Sequence, residues 1–226
     1  TTNPLLAEWE TPHQTPPFEQ IKLEHYKPAF QTAIAVSRAE VDAIVNNPAK
    51  PTFANTILAL ENQGALLDRI GGVFFNLNEA DTSEQLQAIA IEIQPELTAL
   101  SNDISLNPEL FKRVKYVYEH PGLFLSKEDK QLLEKSYKNF VRSGANLSEQ
   151  DKELYRQYSS ELSQLTLQFG QNALKATNAF SYNITDEAKV AELPGFVKEG
   201  LAAEAAARGE KGWTVTLDAP SYGPFM

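Results

Sequence analysis

The stretch PTFANTILALENQGALLDRIGGVFFNLNEAD, residues 51–81, decides how this chain folds. Phe53, Ile57, Leu60, Leu67, Phe74 and Leu77 recur at steps of three, four or seven, which places them on one stripe of a single helix. Thr52 stands where its hydroxyl can cap the first turn. Read as one element, the helix would run roughly 40 Å at ~1.5 Å per residue. A helix with one apolar stripe must bury that stripe against neighbours. Gly64 falls in the gap of the stripe, where close approach of a second helix is the expected reason for it. Gly71-Gly72 is a possible bend.

The same periodicity extends outward in both directions. Upstream, residues 24–46 form a first helix with Phe30, Ile34, Val41 and Val45 inward and Pro28 in an early turn. Before it, Pro4, Pro12, Pro16 and Pro17 block regular structure over residues 3–22. Leu5, Leu6, Trp9 and Phe18 are expected to pin that arm to the body. Downstream, a third helix starts at Thr82 or Ser83 and should kink or break near Gln94, ahead of Pro95. A fourth begins at Asn107-Pro108 with Leu110, Val114 and Val117 inward and stops at His120-Pro121-Gly122. A fifth runs from Ser126 to about Arg142 with Leu133, Tyr137 and Phe140 on one side.

Ser148 and Asp151 open the sixth and longest helix, about 148–179. Its stripe of Tyr155, Tyr158, Leu162, Leu165 and Phe169 has the spacing of antiparallel helix pairs. After Phe180 the character changes. Phe180–Ile184 and Trp213–Leu217 alternate large and polar residues as strands do, with an Ala-rich helix between them. The expected fold is mainly α: a multi-helix bundle with long antiparallel helices and a small two-stranded β element near the C-terminus. The expected divisions are a docked Pro-rich arm at 1–23, a helical domain at 24–179 and a small α/β segment at 180–226. GWTVTLDAPSYGPFM, residues 212–226, reads as a strand and turn rich in large side chains, and so as an internal stretch of a longer protein.

Composition narrows function. Net charge is −10, with no basic face for phosphate, so nucleic acid is not an expected partner. Without cysteine, neither disulfides nor a thiolate metal site can form. No apolar run approaches the ~18–20 residues of a membrane span, and no membrane partner is expected. TTNPLLAEW lacks the features of a signal peptide, which favours a cytoplasmic setting, or a periplasmic one after processing.

His13, His25 and His120 are widely spaced, and none begins H-E-x-x-H, so a helical zinc pair is absent. Glu24, Glu61, Asp68 and Glu79 offer carboxylates, and Glu61 and Asp68 lie seven apart. A carboxylate hydrolase needs two of them across one cleft, whereas solvated helix faces carry the same residues. Tyr116, Tyr118, Tyr155 and Tyr158 sit at helical spacing, as core aromatics do. The residues therefore assign no catalytic side chain, no metal ligand and no substrate-binding side chain to this stretch.

EHYKPAF (24–30), the block at 51–70, VFFNL (73–77), FSYNITDEA (180–188) and the block at 212–226 resemble the N-terminal portion of the thimet oligopeptidase family of zinc metallopeptidases, among them bacterial peptidyl-dipeptidases and oligopeptidase A. That resemblance implies a helical body around a deep channel admitting short peptides. It also implies a zinc site on an H-E-x-x-H helix beyond this stretch, so this chain would be part of the channel wall, partnered by its own catalytic domain, inactive alone and without cofactor. The competing reading is a stand-alone helical scaffold or interaction domain without catalysis.

Overall fold

The computed structural model describes residues 3–226. The chain divides into two compact units, the first ending at Leu165 and the second spanning Thr166–Met226. The first is helical. In chain order it holds α1 (Leu23–Val45), a π-helical turn (Phe53–Leu58) running into α2 (Ala59–Asn62), α3 (Ala65–Ala80), α4 (Glu84–Ser105), α5 (Pro108–Glu119) and α6 (Lys127–Arg142). Next comes α7 (Glu149–Ala179), within which the division between the units falls. The second unit continues with β1 (Tyr182–Ile184), α8 (Gly195–Ala207), β2 (Trp213–Val215) and α9 (Ala219–Phe225). The mainly helical class and the two-stranded element are as the periodicity predicts.

Helix α1 packs against α3, α4 and α5. Its buried face carries Tyr26, Phe30, Ile34, Val41 and Ile44. Phe74 of α3, fully buried, meets Tyr26 and Phe30 edge to face at 5.0 and 5.4 Å between ring centres. Such pairs add about 0.5–1.5 kcal/mol beyond area burial. Burial also raises the Tyr26 phenol above its ordinary range, because the charged form loses water. Ile57, Val114, Val117 and Leu133 close a second cluster between the π-helical turn, α5 and α6.

The predicted single helix over residues 51–81 is broken. Thr52 does cap its start, accepting from the Asn55 N–H at 3.2 Å while Asn55 Oδ1 accepts from the Thr52 N–H at 2.8 Å. But Gln63 is extended (ψ 152°) and Gly64 is left-handed (φ +79°), so α2 ends and α3 restarts at a new angle. The expected close approach at Gly64 is absent, because a Cβ there would meet nothing nearer than the Ser37 hydroxyl at 3.9 Å. Glycine is required by the backbone angle instead. Gly71 and Gly72 lie inside an unbroken α3.

Three further expectations are corrected. Of the kink or break expected near Gln94, the break does not occur: helix α4 continues through Pro95. The carbonyl that loses its partner there belongs to Ile91, an exposed position, so water can satisfy it. In the arm, Leu5 is fully buried and Trp9 donates to the Pro4 carbonyl at 2.9 Å, but Phe18 is 55% exposed and pins nothing. The expected strand forms as β2, but the residues after it form the short helix α9, with Asp218 at its N-cap and Pro220 in its first turn, where a turn was expected.

In the second unit, β1 and β2 pair antiparallel, Asn183 opposite Thr214. Ile184, Val190, Val197, Leu201 and Val215 form the core. Gly212 (φ +85°) lets the chain turn beneath β1, where a Cβ would lie 2.2 Å from the Ile184 carbonyl oxygen.

Two glycine substitutions separate backbone angle from space. Gly64→Ala should cost about 1–2 kcal/mol, the left-handed penalty for a residue with a Cβ. Gly72→Ala, in a helix with no neighbour within 4 Å, should stabilise by up to about 1 kcal/mol. Urea unfolding of both variants measures this.

Candidate functional site

Histidines are the first place to look for chemistry, and two of the three are engaged locally. His25 Nδ1 accepts from the Lys22 N–H at 3.0 Å, completing the start of α1. The His120 ring stacks on Tyr116 at 4.5 Å between centres, with Nδ1 3.0 Å from the Tyr116 carbonyl oxygen. His13 lies in a 3-10 turn of the arm, Pro12–Gln14. The structure does not bring the three together. Among the described residues, no three His, Asp or Glu side chains converge as a metal site. The zinc that the resemblance implies therefore has no fitting donor set among them.

The singled-out carboxylates fare likewise. Glu24, Glu61, Asp68 and Glu79 are all exposed. Asp68 lines a cavity of about 360 Å³ beneath the helix break, together with Ser37, Gln63, Leu100, Ser101 and Asn139; Glu61 is not among its walls. The break interrupts the helix between these two acids, so the spacing of seven no longer places them on one face. Hydroxyl and amide groups around an apolar floor can hydrogen-bond a small polar molecule, but a single carboxylate supplies no acid–base pair. Of the tyrosines, Tyr118 stacks face to face on Tyr137 at 4.0 Å and Tyr116 lies under the Lys50 ammonium at 5.4 Å, while Tyr158 is exposed.

Two contacts from α1 clamp the helix break beside the cavity. Glu40 Oε2 accepts from the Gly64 N–H at 2.8 Å, and the Ser37 hydroxyl donates to Gln63 Oε1 at 2.8 Å. The first contact satisfies an unpaired donor at the start of α3 and sets a negative charge at its positive end. Sequence reasoning missed this site. Its signal is N-Q-G at 62–64, polar residues and then glycine, the ordinary mark of a helix C-terminus.

A second polar constellation joins three helices. Asp103 of α4 receives Arg38 of α1 at 2.5 Å and Arg156 of α7 at 2.6 Å. Asn102 donates to the Ser159 hydroxyl at 2.8 Å and Thr98 to that of Ser163 at 3.0 Å. So α7 meets α4 through its polar side. The stripe expected to be buried is not: Tyr158, Leu162, Leu165 and Phe169 are 66, 65, 55 and 75% exposed.

With this geometry in view, similarity to known proteins is specific. No protein-family model matches the chain. It is 41% identical over 222 residues to a dipeptidyl carboxypeptidase of Salmonella typhimurium, an alignment covering 96% of this chain and 32% of that protein. Against oligopeptidase A of Escherichia coli it is 30% identical over 226 residues, 100% of this chain and 33% of that protein. A probable cytosolic oligopeptidase A of Arabidopsis thaliana is 28% identical over 235 residues, again 100% of this chain and 33% of its own length. Over nearly its whole length the chain is thus similar to proteins described as dipeptidyl carboxypeptidase and oligopeptidase A. It spans about a third of the length of the relatives it matches.

Asp103→Ala removes both arginine contacts. Because all three side chains are more than a third exposed, the loss should be about 1 kcal/mol or less and should shrink in 1 M salt. Guanidinium-free thermal or urea melts at two ionic strengths measure it.

Proposed function

We propose that residues 1–226 are the N-terminal, channel-wall part of a zinc metallopeptidase that hydrolyses short peptides, as a peptidyl-dipeptidase or an oligopeptidase, and that they carry none of its reacting groups. The observation that supports this best is the alignment of nearly the whole chain with peptidases at 30–41% identity. The zinc of such a parent is held outside these residues, whose histidines are dispersed, His25 and His120 being engaged locally.

The contribution of this stretch is steric and structural. Long helices, held by α1 and by the Asp103 network, form a rigid surface that fixes the width of a channel. Such a wall admits unfolded short peptides and excludes folded proteins. Short peptides are the substrate class, and the remainder of the polypeptide is the partner. A net charge of −10 speaks against nucleic acid. No helix of the described residues is long and apolar enough to cross a membrane. A cytoplasmic setting is supported by the relative described as cytosolic.

The test uses the 226-residue chain and its parent side by side. The chain alone should show no chelator-sensitive cleavage of a short blocked peptide, and should retain no stoichiometric zinc after dialysis. The parent should do both. Chelator-sensitive turnover by the 226 residues, or zinc retained by them, contradicts the reading. A reading frame that stops after Met226 favours the stand-alone scaffold.

A further inference from the structure

Helix α7 is turned the opposite way from the other helices of its unit. Its polar side, Arg156, Ser159 and Ser163, is fastened to α4. Its apolar side faces outward. Tyr158, Leu162 and Leu165 lie on one narrow stripe, which Phe169 continues along the same helix, and all four are more than half exposed. A stripe of large apolar side chains on a stable helix marks a surface that another body covers.

The residues beside the stripe support this. Between Ser159 and Leu174 the one charged residue is Glu161; the rest are Ser, Gln, Thr, Asn, Gly, Ala and apolar. Charge depletion with aromatic and leucine content is the composition of an interface core. A helix that lies on a lipid surface would instead carry several Lys and Arg along its polar face, whereas the polar side here is Arg156, paired with Asp103, and the serines Ser159 and Ser163.

We propose that the Tyr158–Leu162–Leu165 face of α7 is the docking surface for the remainder of the parent polypeptide. The proposal rests on the peptidase reading above and adds which residues the rest of the chain covers. The relatives are about three times as long as this chain, so a body large enough to cover the helix belongs to the same molecule. A covering segment from the same polypeptide acts at high effective concentration and needs only modest contacts to stay in place.

This chain contains no cysteine, so introduced thiols report cleanly on it. Leu162→Cys, Leu165→Cys and, as reference, Phe124→Cys at the 97% exposed turn between α5 and α6 are made in the parent and in the 226-residue chain. Maleimide modification at each site is followed by mass spectrometry. In the 226-residue chain all three sites should react at similar rates. In the parent, Leu162→Cys and Leu165→Cys should react about tenfold slower or more, while Phe124→Cys is unchanged. Equal rates at positions 162 and 124 in the parent overturn the proposal. So does protection that disappears on dilution, which assigns the face to a second copy. Peptide hydrolysis is read on the same parent samples: protection without hydrolysis defeats the peptidase reading alone, and hydrolysis without protection defeats the docking face alone.

Discussion

The first unit depends on one clamp, the Glu40 carboxylate on the Gly64 N–H. Without it the stretch 53–80 has two ways to satisfy its backbone: one continuous helix, or two segments with unpaired groups at a buried joint. Gly64 is buried, so an unpaired N–H there would cost about 1–3 kcal/mol. The carboxylate removes that cost and adds a favourable charge at the start of α3. The joint then lets the π-helical turn pack on α5 and α6 while α2 and α3 both pack on α1. One straight helix could not reach both.

Two consequences follow for function. The joint leaves a cavity beneath it, lined by hydroxyls, amides and one acid, which is a recess and not a reaction centre. The polar network around Asp103 holds α7 by its hydrophilic side, which sends its apolar side outward. A body so built is suited to bearing on other parts of a larger molecule. Its similarity to peptidases over about a third of their length is consistent with that role.

Much of this was legible in the residues, and the misses have physical causes. The stripes of α1 and α5 were read correctly because Phe30, Ile34, Leu110 and Val114 are buried by neighbours within the same unit. The stripe of α7 has equal periodicity, yet periodicity shows only that a face is apolar; it does not say that the covering partner is present. Gly64 was misplaced because glycine fits both a helix interior and a left-handed joint, and the side chain that selects the joint, Glu40, lies 24 residues away. Pro95 was expected to kink or break α4; no break forms, because the carbonyl it frees sits on an exposed turn. The absence of assigned catalytic residues came from spacing alone, since no two histidines lie one helical turn apart.

The most direct measurement is amide hydrogen exchange at Gly64, resolved by NMR, in the wild-type chain and in Glu40→Ala. The clamp predicts a Gly64 amide protected in the wild type to a degree comparable with neighbouring core amides such as Ile70, and selectively exposed in Glu40→Ala while Ile70 remains protected. A Gly64 amide that exchanges at the free-chain rate in the wild type, or that keeps its protection without the carboxylate, would contradict the account.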